Sequence, residues 1–282
     1  MATDLDHQPK HRDSAQSVWD DLRAEPLLDP TEPVPIVQSF PRKLFSTFYD
    51  NLGSLILLNI AVSLQVAAGL LVGLLAGAIF GNPVILLFCI VVFTGLLGAP
   101  AVAGIFNYAR VLYAEDELVR LGAYVQGMRT FAVRSWLLLA LQAASGLLLF
   151  FNLRFYTSVG GLAGSVLIML FLLLVAVWGM AGFYAWPLLV RGMNWKLLLR
   201  NAVFLALAAP LSSIGFLLVL TVLSALLVVT RAGMFILLFA LWAVVETAAL
   251  HRLVDIFTSK REALAAETPT TLEEGDDSRP SA

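Results

Sequence analysis

The chain has 282 residues, 59% hydrophobic and 13% charged, with a net charge of -2 and a mean hydropathy of +0.85. Soluble domains are only about 45–50% apolar and about 25% charged, so a soluble enzyme with a large core is excluded. The near-neutral balance gives no footing for nucleic acid, and the single cysteine, Cys89, excludes an intramolecular disulfide or a cysteine-based metal site. Cys89 lies in an apolar run and reads as a packing residue.

Residues 1–40 are polar and acidic, with Pro26, Pro30, Pro33 and Pro35 breaking any helix. They read as a disordered cytoplasmic tail without a cleavable signal, so the first membrane helix is expected to act as its own insertion signal. Phe40–Asn51 mixes Arg42 and Lys43 with Phe45, Phe48 and Tyr49, a composition suited to a helix at the lipid headgroups.

Six apolar segments follow, near 52–80, 84–109, 136–153, 157–186, 207–229 and 233–251. About 20 helical residues cross a bilayer, and the runs lack the alternation of a β-barrel. The expected fold is therefore an all-α integral membrane domain over residues 41–255. Its six transmembrane helices would form three helix pairs joined by two amphipathic cytoplasmic arms. Near the spans, one set of connections holds twelve Lys and Arg, among them Arg42, Arg110, Arg120, Arg129, Arg134, Arg191, Lys196, Arg200 and Arg252. The alternate set holds two, Arg154 and Arg231. The positive-inside rule then places both termini in the cytoplasm. Residues 256–282 are acidic and rich in small residues, and read as a second disordered tail.

Within the first segment Gly69, Gly73, Gly77 and Gly81 recur every four residues. On a helix they form one stripe that another backbone can approach closely. The partner is either another span or a second copy in a homo-oligomer; six helices that must pack in any case favour the former. In the second segment Pro100 lacks an N–H and should kink the helix, as a bend that fits the bundle or as a hinge. The carbonyl four residues back then needs a donor, from Thr94 or from a neighbouring helix.

The first arm, Val111–Arg134, carries Glu115, Asp116, Arg120, Arg129 and Arg134 between apolar residues at helical spacing. It is expected to lie along the inner membrane surface, either simply solvated or as a docking face for a membrane transport partner. The second arm, Arg191–Ala208, repeats the design, with Trp186 and Trp195 as interfacial anchors.

Glu246 is the only acidic residue within an expected span. Such a charge is costly and marks a functional candidate, unless it snorkels to the interface or pairs with an arm arginine. Asn59, Gln65 and Gln142 are the accompanying intramembrane polar residues, ordinarily explained by interhelical hydrogen bonds. No metalloprotease, nucleophile-elbow, phosphate-loop or dinucleotide motif occurs. No catalytic or metal-ligating residues, and no cofactor, are expected.

The stretches LLLN at Asn59, LLGAPAVAGIFNYARVLYAEDE and AYVQGMRTFAVRSWLLLAL together resemble the YesL-type family of bacterial integral membrane proteins. The matching residues are Asn59, Gly98–Pro100, Tyr124, Gly127, Arg129 and Phe131, with Ala99 separating Gly98 from Pro100. The resemblance implies a multi-pass protein of the bacterial cytoplasmic membrane, accessory to uptake of solutes such as carbohydrates or to an envelope system, with no catalytic residues to assign. The alternative reading is a small-molecule transporter, with a polar path of Asn59, Gln65, Gln142 and Glu246 gated near Pro100.

Overall fold

The computed structural model describes residues 40–115, 121–159, 161–230, 233 and 237–267. Both expected tails, except for Phe40 and residues 256–267, and Asp116, Arg120 and Arg231 lie outside them. Among the described residues the chain forms eight helices and no strand. They are α1 (Phe40–Asp50), α2 (Leu52–Ala78), α3 (Pro83–Glu115), α4 (Gly122–Val159), α5 (Gly161–Leu189), α6 (Trp195–Ala208), α7 (Pro210–Val229) and α8 (Leu238–Glu267). Five of these, α2, α3, α4, α5 and α7, are long and apolar enough to cross a membrane. Their outward side chains, such as Leu147, Leu170 and Val228, are exposed, as lipid contact requires.

The last helix holds the assembly together. Residues 243–251 of α8 are all buried, so protein surrounds this stretch on every side. Ala240, Ala243 and Val244 join a core shared with α2, α3 and α4. Val245, Ala249, Leu250 and Leu253 join a second core with α5 and α6. Alanines at 240, 243, 248 and 249 leave room for neighbours on several faces at once. Glu246 is carried in this stretch because protein, not lipid, surrounds it, whereas Arg252 and Asp255 further along are exposed.

The glycine stripe is the seam between α2 and α3. A Cβ on Gly69 would lie 2.6 Å from the Phe93 carbonyl oxygen, one on Gly73 2.6 Å from the Ile90 Cα, and one on Gly77 2.6 Å from the Leu86 Cα. The partner is thus internal and antiparallel. Gly81 does not belong to the stripe: its φ is +59° and nothing surrounds it, so it serves the turn. There Asn82 Oδ1 accepts the Val84 N–H at 2.8 Å, and Pro83 opens α3 without a donor to lose.

Both arms differ from expectation. Val111–Arg134 is not a separate surface helix. α3 continues to Glu115 and α4 starts at Gly122, so the two helices pack as a hairpin through this region. Small residues again explain the contact: Gly104 faces Met128 and Tyr124, and Gly127 faces Asn107. The second arm folds back onto α5. Leu198, Asn201, Ala202, Leu205 and Ala206 of α6 are buried, a denser apolar face than a headgroup helix needs. Three separate helix pairs do not describe this bundle, since α3 packs closely on both α2 and α4, and α7 touches α8 only lightly. The helix also runs past the expected boundary at 255, because residues 256–267 contain good helix formers and no Gly or Pro.

Pro100 sits inside α3 and is buried. The carbonyl it deprives is that of Leu96, and the indole N–H of Trp136 on α4 donates to it at 2.9 Å. Interhelical hydrogen bonds in membranes average about 0.6 and reach about 1.7 kcal/mol. Trp136→Phe should lower thermal stability in detergent by about that much. In a Pro100→Ala background, where the restored N–H supplies the bond, the same change should cost little. Equal losses in both backgrounds would contradict the pairing.

Candidate functional site

A cavity of about 590 Å³ opens where α3, α4, α5, α7 and α8 meet. That is within the range of roughly 300–1,000 Å³ typical of ligand pockets. Two glycines on α5 help to leave it open: a Cβ on Gly179 would meet nothing within 4 Å, and one on Gly182 only Gln142 Nε2 at 3.5 Å. The chain breaks its helical path between α6 and α7. Ala209 departs from helical geometry (φ -136°, ψ 61°) just before Pro210, and α7 then packs lightly on its neighbours.

The walls are aromatic. Trp178 and Trp186 come from α5, Trp242 and Phe239 from α8, and Phe106 from α3. Two of the indoles are tethered at their N–H. Trp178 donates to Ser145 Oγ at 2.8 Å, and Trp242 donates to Ser224 Oγ at 2.7 Å. Each serine passes its own proton to a carbonyl one turn back, that of Leu141 at 2.7 Å or Leu220 at 2.6 Å. The hydroxyls are therefore used as both donor and acceptor, which fixes the rings. The third indole, Trp186, stacks on Phe106 with centroids 6.1 Å apart. It is a wall residue, a role beyond the interfacial anchoring expected from its place at a span end.

Glu246 also lines this cavity, one helical turn from Trp242. It is 1% exposed, so it does not snorkel to an interface, and its Oε2 has no hydrogen-bond partner. Among the described residues no lysine, arginine or histidine lines the cavity. Gln142 and Ser224 are the other polar wall residues.

The four expected polar residues separate into two groups. Gln142 and Glu246 meet at the cavity. Asn59 and Gln65 are spent on packing. Asn59 Oδ1 accepts the backbone N–H of Ala240 at 3.0 Å, capping the first turn of α8 from α2. Gln65 donates to the Tyr124 hydroxyl on α4 at 3.0 Å. Pro100 is not a wall residue, although its helix supplies Val102 and Phe106. Of the charged arm, Arg134 donates to the Gly192 carbonyl at 3.1 Å and ties the α3–α4 hairpin to the α5–α6 turn. Arg129 is exposed, and the Glu115 backbone closes α3.

Sequence reasoning passed over Trp178, Trp242, Gly179 and Ser224. A signal was present for two of them: Trp178 and Trp242 fall well inside their apolar segments, away from the interfaces where tryptophan usually sits. Among the described residues no group of three His, Cys, Asp or Glu could hold a metal ion. Comparisons with family models, curated proteins and solved structures find no match. The chain is a multi-pass membrane protein by helix length and hydropathy.

Proposed function

We propose that the chain is a non-enzymatic transporter of a small, largely apolar solute in a bacterial cytoplasmic membrane. α8 would be the sixth span, and both termini would lie in the cytoplasm. The aromatic cavity carries this reading. It is built from five helices, lies among membrane-spanning segments, and presents polar groups only at Gln142, Ser224 and Glu246. Such a pocket, mostly apolar with a few convergent polar groups, suits selective binding better than simple packing. The interruption at Ala209–Pro210, which starts the helix that brings Leu217 and Ser224 to the wall, is the natural place for movement, as broken helices are in transporters.

The accessory role suggested by the arms has less support. Arg134 is engaged within the bundle, and the arm is mostly a packed helical hairpin. YesL-type membership remains part of the proposal. Of its matching residues, Asn59, Gly98, Pro100, Tyr124, Gly127 and Phe131 are buried in α2, α3 and α4, and Arg129 is exposed. In this reading the shared pattern is a packing pattern that frames the bundle.

Gly179→Phe tests the cavity directly. Its side chain enters open space, so the protein should fold and run as a single species with unchanged or raised thermal stability. Native mass spectrometry with triphenylphosphine oxide, a neutral aromatic probe, should show one bound molecule on the native chain and none on the variant. Equal binding to both would remove the cavity from the account.

A further inference from the structure

Among the described residues the cavity's one acidic side chain has no basic wall residue to answer it. A carboxylate within a membrane bundle costs about 2.5–3.5 kcal/mol to insert, and such groups ordinarily find a cation or a donor. Glu246 is buried, and among the described residues its Oε2 is without a partner and the wall holds no basic residue. Around it are three indoles, two of them clamped by Ser145 and Ser224. Aromatic faces attract cations electrostatically, tryptophan most strongly, and more so when water is excluded. A neutral apolar solute would need the aromatic wall alone and would leave the carboxylate unanswered. An anion would be repelled. Resting on the transporter reading above, we propose that the solute class is a lipophilic organic cation, with Glu246 as its counter-charge and Trp178, Trp186 and Trp242 as its aromatic cage.

The probes are a pair of similar shape and different charge, tetraphenylphosphonium and neutral triphenylphosphine oxide. Each is radiolabelled and measured on the full chain in lipid nanodiscs, with empty nanodiscs as background. The native protein should bind the cation at least about tenfold more tightly than the neutral probe. Glu246→Gln should lose that preference and leave neutral binding unchanged. Equal affinity of the native protein for both probes, or undiminished cation binding by Glu246→Gln, would overturn the cation assignment but leave the cavity as a solute site. If neither probe binds the native chain, the transporter reading falls as well. Should Glu246→Gln fail to fold, the native cation-to-neutral ratio decides alone.

Discussion

Gly73→Leu should yield no properly assembled protein. A Cβ at this position lies 2.6 Å from the Ile90 Cα and 2.8 Å from the Cys89 carbonyl oxygen, both backbone atoms that no side-chain rotation can move aside. Leucine adds three more carbons beyond that clash. Ordinary overpacking costs about 1–3 kcal/mol, because neighbouring side chains give way. Here α2 and α3 must separate, which also opens the contacts at Gly69 and Gly77 on the same seam. In lipid, nothing hydrophobic drives the two helices back together, since packing itself is the attraction. Gly53→Leu is the matched control: it lies on the same helix, is exposed, and has nothing within 4 Å. Size-exclusion profiles and thermal unfolding in detergent should show Gly53→Leu near native and Gly73→Leu aggregated or lost. Similar behaviour of the two would mean that the seam is not as close as described.

Asn59→Leu should be the next most damaging change. Asn59 and Ala240 are both fully buried, and leucine would remove the acceptor that the Ala240 N–H uses. A buried donor left unpaired costs about 1–3 kcal/mol, and this one lies in the first turn of a helix, where donors lack partners along the chain. The damage should also reach the cavity, because α8 carries Phe239, Trp242 and Glu246 into its wall. Thermal stability should fall by more than with Trp136→Phe, whose indole is 38% exposed on the outer side of the bundle. Asn59→Asp keeps an acceptor oxygen and so separates the cap from side-chain size. It should retain part of the stability that leucine loses. Equal loss with Asp and Leu would argue against the hydrogen bond as the cause.

Features set by nearby residues were legible in the sequence. Five of the six apolar runs marked helices long and apolar enough to cross a membrane, and the sixth, 233–251, marked the buried part of α8. The four-residue glycine spacing marked a close helix contact, and Pro100 announced an orphaned carbonyl needing a neighbour. Even the turn at Gly81–Asn82–Pro83 could be placed, although Gly81 was counted with the stripe when its left-handed φ serves the turn. The arms misled because amphipathic spacing does not say whether the apolar face meets lipid or protein. In α6 that face meets α5. The cavity was hidden for a different reason. Its wall draws on five helices between Val102 and Glu246, and no local pattern marks residues that meet only after folding. Asn59 shows the same limit, since its partner lies 181 residues away. Glu246 could be singled out as unusual, but its surroundings, and so its meaning, came only with the fold.

The most direct test of the central claim is photolabelling of native membranes. A small aromatic diazirine would be activated with and without excess triphenylphosphine oxide, and the labelled peptides mapped. The account expects competed labelling on the stretches holding Trp178 and Phe239–Trp242, abolished by Gly179→Phe. Labelling confined to outward positions such as Leu147, Leu170 and Val228, unaffected by competitor or by Gly179→Phe, would mean that the cavity does not admit a solute.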